Sequence, residues 1–285
     1  MERHKILDVD CAMKEVKCLR SVGCVSAIGM GTWGMGGGFW TPDHSQDRAW
    51  VEALKLGIEL GMTLIDTAEM YGGGHSEELV GEAIKGHKRE DVFIVTKVWP
   101  NHAKYEEALR SIQASVKRLG TYADLILLHW PSDSVPICET VRAFEEAIDR
   151  GLTRFWGLSN FDVRGIEEAR QCAKRYDIAA IENRYSLKYR ADEASVIPYA
   201  QREGLLYLAY TPIEKGALAS DTLLIELGRK YGKTPIQIAL NWYIKLEPVV
   251  PIPKAGSVAH VQENAGAMGW RLSEDDWRRI SEHFK

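Results

Sequence analysis

Four residues able to move protons stand in order along the chain: Asp66, Tyr71, Lys97 and His129. Asp66 follows the apolar run MTLI, Lys97 follows VFIVT, His129 follows LILL, and Ser159-Asn160 follow FWGL. The steps from Asp66 to Lys97, His129 and Ser159 are 31, 32 and 30 residues. Tyr71 lies just past Asp66 in a glycine-rich loop. If the four converge, the Lys97 ammonium would favour tyrosinate and lower the Tyr71 pKa. Asp66 would balance and position Lys97, and His129 would orient a substrate oxygen. Tyr71 would then be a general acid toward a carbonyl becoming an alkoxide. Such a set moves protons but no electrons, so carbonyl reduction would also need a hydride carrier. Taken singly, each residue has a plainer role: a loop tyrosine packs, an Asp–Lys pair is a structural ion pair, and a histidine before Trp-Pro holds a loop. The shared spacing sets them apart.

The elements that must position these residues alternate. Short apolar strands (VSAIG, MTLID, VFIVTK, DLILLH, RFWGLSN, IAAIEN, LLYLAY, VVPIP) are separated by segments of helical periodicity. Eight such βα units imply a parallel sheet and suit a closed (β/α)8 TIM barrel, with a doubly wound sheet as the alternative. In a barrel, the residues that end the strands share one face, where active sites form. No Pro/Gly/Ser-rich linker divides the chain, so residues 1–285 are expected to form one domain. VKCLRSVGCVSAIGMG reads as two short strands around Ser21-Val22-Gly23, and the last helical stretch, SEDDWRRISEHF, lies beyond the eighth unit.

Gly29-Met30-Gly31-Thr32-Trp33-Gly34 matches G-x-G-x-x-G, the dinucleotide fingerprint of a Rossmann unit. That fingerprint must turn directly into a helix whose N-terminus meets the pyrophosphate. Here three glycines and a proline follow, which no helix survives. Gly31 and Thr32 are expected instead at the mouth end of the first strand, as floor beneath Trp33.

Composition excludes several classes. The 285 residues are 45% hydrophobic and 27% charged, with a net charge of −4. That balance argues against nucleic acid and anionic membranes as partners. No apolar run approaches the ~20 residues of a membrane span, and the N-terminus lacks the apolar core of a signal peptide. Five cysteines (Cys11, Cys18, Cys24, Cys138, Cys172) without a C-x-x-C are expected to be free thiols in the cytoplasm. A Cys18–Cys24 bond across the hairpin is the weaker alternative. No metal is expected.

DTAEMYGGGHSEELVGEAI, VTKVW, LILLHWP, RFWGLSNF and VVPIPKAGSVAHVQEN resemble, in order and spacing, the motifs of the aldo-keto reductases. The resemblance runs from about Gly29 to Asn264. It implies a (β/α)8 barrel whose base is capped by the N-terminal hairpin, binding NADP(H) in extended form, and reversible reduction of aldehydes or ketones. It makes Asp66, Tyr71, Lys97 and His129 the catalytic tetrad, with Tyr71 exchanging the proton. Ser159, Asn160 and Glu182 would meet the nicotinamide carboxamide, Tyr210 would stack on the ring, and Thr211, Pro212 and Ile213 would line the cofactor path. Lys254, Ser257 and His260 would serve the adenosine 2′-phosphate, and Glu263 and Asn264 the adenine. Trp33, Trp99 and Trp130, with Tyr71 and His129, would wall the substrate pocket.

Two positions depart from the family pattern. Glu182 stands where Gln is usual. An ionised carboxylate there cannot donate to the carboxamide, and it would favour the oxidised, positively charged ring. His260 stands where NADP-specific members carry Arg, and Ala255 lacks the hydroxyl often found beside the lysine. Arg grips phosphate bidentately, whereas His is charged only on the acid side of neutrality. NADP(H) preference with weaker discrimination against NAD(H) is therefore expected. Two other functions remain open: a lyase with Lys97 as Schiff-base nucleophile, and a non-catalytic NADP-binding regulatory subunit. Substrate choice would sit in loops 34–45, 99–104, 130–138 and 214–221. Oligomeric state is not readable.

Overall fold

The computed structural model describes residues 15–254 and 256–285. Cys11 and Ala255 therefore lie outside the described residues. The first described elements are a hairpin, β1 (Val16–Leu19) and β2 (Gly23–Ser26), which pair antiparallel. The barrel follows: β3 (Met30–Gly31), α1 (Asp47–Glu59), β4 (Leu64–Asp66), α2 (His75–Ala83), β5 (Phe93–Val98), α3 (Tyr105–Leu119), β6 (Ala123–Leu128) and α4 (Ile137–Asp149). It continues with β7 (Thr153–Ser159), α5 (Val163–Cys172), β8 (Ala180–Arg184), α6 (Val196–Glu203) and β9 (Leu206–Tyr210). Two helices, α7 (Thr222–Tyr231) and α8 (Pro235–Ile244), precede β10 (Val249–Pro251); α9 (Val258–Ala265) and α10 (Glu274–His283) end the chain.

Strands β3 to β10 form one parallel sheet in sequence order. It closes on itself: the Gly29 amide donates to the Pro251 carbonyl at 2.9 Å and the Gly31 amide to Pro253 at 2.8 Å. This is the expected (β/α)8 barrel, with α9 against α1 completing the helical ring. None of the described helices is long and apolar enough to cross a membrane.

VSAIG, taken as the first barrel strand, is split. Ser26 turns the chain, donating from Oγ to the Ile28 carbonyl at 2.9 Å and accepting from the Leu64 amide at 3.0 Å. Val25 stays in the hairpin, and the barrel strand shrinks to Met30–Gly31. Close approach explains Gly31: a Cβ there would sit 2.8 Å from the Ile252 carbonyl oxygen. Gly34 adopts φ +75, and no helix starts between Gly29 and Asp47, so the fingerprint match is loop floor.

The two-residue period of a strand sorts the core. Ile65, Ile94, Ile126, Trp156, Ile181 and Tyr207 face outward and pack beneath the helices. Leu64, Val95, Leu125, Leu127, Ala180, Leu206, Leu208 and Val250 face inward and fill the barrel, and Val22 and Val25 of the hairpin join them from below. Lys17 fastens this plug. Its buried ammonium donates to the carbonyls of Tyr243 at 2.7 Å, Leu246 at 3.0 Å and Val249 at 2.5 Å, at the end of α8 and the turn into β10.

The free-thiol expectation is corrected. Cys18 and Cys24 are paired residues of the hairpin and form a disulfide. Cys138 at the start of α4 and Cys172 at the end of α5 form a second, across the contact between those two helices.

Candidate functional site

Continuing the inward parity past the apolar layers brings the polar residues to one mouth. Asp66 is two residues past Leu64, Lys97 two past Val95, His129 two past Leu127, Ser159 two past Gly157, Glu182 two past Ala180 and Tyr210 two past Leu208. Lys254 follows Ile252 in the same phase. These side chains, bar Lys97, line a cavity of ≈ 850 Å³ together with Tyr71, Asn160, Thr211, Pro212, Ile213, His260, Glu263 and Asn264. Gly31 and the walls Trp33, Trp99 and Trp130 are also there.

Lys97 lies just beneath the lining. Fully buried, it forms an ion pair with Asp66 through Oδ1, donates to the Thr67 carbonyl at 3.0 Å and stands 3.3 Å from Glu182 Oε1. Burial works against its charge, but Asp66 and Glu182 outweigh it and hold the ammonium well above its ordinary value. A buried, protonated, ion-paired lysine is no Schiff-base nucleophile, which argues against the lyase alternative.

Tyr71 is buried with its ring 5.3 Å from Lys97 Nζ, 5.8 Å from the His129 ring and 5.0 Å from the Trp33 ring. The expectation that Lys97 lowers the Tyr71 pKa is corrected. Burial is the larger effect and raises it; Lys97 opposes this and does not win. Tyr71 is a phenol, ready to give a proton. His129 is pulled down to about 2 by burial and by Lys97, so it is neutral. Its Nδ1 is buried without a partner among the described residues.

Glu182 is likewise corrected. Burial, and then the Asp66 carboxylate, push its pKa well above the ordinary carboxylate range, so it is not the bare anion expected from its type. Its Oε2 is buried and unpartnered among the described residues. Asn160, at φ +65, donates from Nδ2 to the His129 carbonyl at 2.9 Å and accepts from the Tyr210 hydroxyl at 2.7 Å. Asn183 holds this turn, its Oδ1 accepting from the Asn160 amide at 2.8 Å.

The loop carrying Tyr71 is pinned on three sides. Phe39 pairs with Tyr71 as an antiparallel bridge, the Trp40 amide donates to the Met70 carbonyl at 3.0 Å, and Gly72 donates to Gly38 at 2.7 Å. Behind it, Thr67 donates to Ser76 at 3.0 Å, Ser76 to Thr32 at 2.8 Å and Thr32 to the Asp66 carbonyl at 3.0 Å. His75 bridges α1 and α2, 2.8 Å from both Asp47 and Glu78. His44, Asp47 and His75 bring ligand-type atoms within 4.8 Å of one another. On the far side, buried Glu69 accepts from the Trp99 amide at 2.7 Å and fixes that wall.

Two expected cofactor residues do not reach the cavity. Thr32 belongs to the hydroxyl chain behind Tyr71, and Ser257 caps α9 by accepting from the His260 amide at 3.2 Å. Seven lining residues were not singled out from the sequence, Phe39, Met70, Lys215, Gly216, Ala219, Ile236 and Ile252, although loops 34–45 and 214–221 hold four of them. Lys215-Gly216 carried a readable signal, a cation beside glycine in a strand-end loop. Met70 carried none, because only loop closure brings it to the mouth.

The cavity suits an extended nucleotide cofactor. Its floor holds the two unpartnered buried polar atoms of Glu182 and His129, a Tyr ring and a glycine that leaves room; its rim holds Lys215, Lys254 and His260. Comparison with known proteins agrees. Residues 27–285 match the model of the aldo/keto reductase family. The chain is 40% identical over 264 residues to methylglyoxal reductase YeaE of Escherichia coli K12, covering 90% of each. A thermostable aldo-keto reductase, Tm1743, solved with the inhibitor epalrestat, superposes with a TM-score of 0.88 at 43% identity, over 94% of this chain and 98% of that one. An aldo/keto reductase from Klebsiella pneumoniae, solved with NADP and acetate, gives 0.85 at 35% identity over 95% and 96%. The chain belongs to the aldo/keto reductase family.

Proposed function

We propose that this protein is an NADP(H)-dependent reductase of small aldehydes, 2-oxoaldehydes among them. The observation that carries the reading is the Tyr71 phenol, held protonated beside a buried Lys97 and a neutral His129 at the floor of one cavity. Bound NADPH would supply the hydride. Tyr71 gives its proton to the substrate oxygen, and the adjacent Lys97 charge stabilises the phenolate left behind. Neutral His129 orients that oxygen with its ring, having no charge to donate a proton of its own. Ser159, Asn160 and Glu182 hold the carboxamide end, Tyr210 supplies a flat face for the ring, and Thr211, Pro212 and Ile213 line the path. Lys254 and His260 meet the 2′-phosphate, with Glu263 and Asn264 beside the adenine. Trp33, Phe39, Trp99 and Trp130 exclude water above Tyr71 and offer apolar contact. The substrate class rests on the aromatic mouth and on relatives named methylglyoxal reductase and, in Bacillus subtilis, glyoxal reductase.

The test is a screen of aldehydes with NADPH and NADH, followed by cofactor absorbance. Turnover of methylglyoxal with NADPH is expected, and no consumption with any carbonyl would refute the reading. A second expectation concerns His260, which is exposed at the rim. His260→Arg should tighten NADPH about fivefold, the ~1 kcal/mol of one exposed charge-assisted contact, and leave NADH unchanged. Fluorescence titration of both cofactors measures it; equal gains for both would place His260 away from the 2′-phosphate.

A further inference from the structure

Beneath the cavity floor the charges do not balance. Two carboxylates, Asp66 and Glu182, share one ammonium, Lys97, and side-chain exposure is 4%, 3% and 0% for the three. An uncompensated charge sealed at that depth is far costlier than a shared proton. Geometry decides which acid keeps the proton. Asp66 takes the close contact with Lys97, whereas Glu182 stands off at 3.3 Å. The other groups around Glu182 add no positive charge: Tyr71 from the loop after β4 and Tyr210 from β9 are phenols, Ser159 is its partner across β7, and His129 is neutral. Meanwhile Glu182 Oε2, buried and unpartnered among the described residues, belongs to a side chain that lines the cavity.

We propose that Glu182 couples the redox state of the cofactor to a proton: it stays a neutral carboxylic acid in the free protein and beside NADPH, and becomes a carboxylate when NADP+ is bound. The inference rests on the reading that this cavity holds NADP(H). As an acid, Glu182 has one donor and one acceptor and so mimics the amide usual in the family. A positive ring beside it favours the ionised form, exactly the charge the cluster otherwise lacks a counterion for. The sign follows. Glu182 binds its proton more tightly in the free protein than in the NADP+ complex, so NADP+ binding expels a proton and strengthens as pH rises through that window. NADPH binding does not.

Calorimetric titration of the full chain with NADP+ and with NADPH tests this, run at several pH values in two buffers of different ionisation enthalpy. The 2′-phosphate and His260 affect both cofactors alike, so the ratio of the two affinities isolates the ring. In the wild type, NADP+ should release about one proton more than NADPH, and the ratio should shift toward NADP+ about tenfold per pH unit within the window. In Glu182→Gln the two cofactors should exchange protons equally and the ratio should be flat. A pH-independent ratio in the wild type overturns the proposal without need of any variant, as does a wild-type slope retained in Glu182→Gln. Binding of both cofactors without a difference overturns this proposal alone; binding of neither overturns the reading beneath it as well.

Discussion

Tyr71→Phe will lose reductase activity by a factor of about 10²–10⁴ in kcat, the usual worth of a placed proton donor, while NADPH affinity stays within about twofold. The prediction isolates one atom. The Tyr71 ring packs against Trp33 and His129, and Phe keeps those contacts. What is lost is the hydroxyl that burial holds protonated. Because that pKa is raised, the acid form persists throughout ordinary pH, and the wild-type rate should show no alkaline fall from Tyr71 ionisation in the free protein. Single-turnover kinetics would separate the chemical step from product release. A variant within tenfold of wild type would hand the donor role to another group.

Lys97→Met will be costly in two ways. It leaves Asp66 and Glu182 facing each other without a cation, and breaking a buried pair from one side costs about 3–5 kcal/mol of stability. It also removes the charge that makes phenolate accessible, so kcat should fall even where the protein remains folded. The triple variant Lys97→Met, Asp66→Asn, Glu182→Gln keeps much of the shape while deleting the buried ion pair and the acid that shares its proton with it. Denaturant unfolding should show stability largely recovered, with activity still absent. If the single variant unfolds at the wild-type denaturant midpoint, the ion cluster has been misread. If the triple variant recovers activity, Lys97 was serving only the fold.

Much of this site was legible because strand geometry is periodic. Once Asp66, Lys97, His129 and Ser159 fall at strand ends about 31 residues apart, a parallel barrel has no choice but to bring them to one mouth. What stayed hidden depended on depth. The charge of Lys97 was visible in the letters, but the burial that overrides its pull on Tyr71 was not. Glu182 was visible as a departure, yet its neutrality comes from burial and from the Asp66 carboxylate, which only closure carries to it. Cys18 and Cys24 could be matched through their hairpin, whereas Cys138 and Cys172 meet across two helices whose packing no local pattern reports. Thr32 and Ser257 stand beside the cavity without lining it, each bonded to the backbone through its hydroxyl.

Lys17 carries one more implication, for how the chain is made. Its three acceptors lie 226 to 232 residues downstream. The hairpin is thus anchored by a segment synthesised long after it, and must wait, unattached by its lysine, while the intervening strands emerge. Such distant contacts make closure slow relative to local helix formation. A nascent chain stopped before Tyr243 would have no acceptor for that ammonium, so synthesis itself sets the earliest moment at which the base of the molecule can seal.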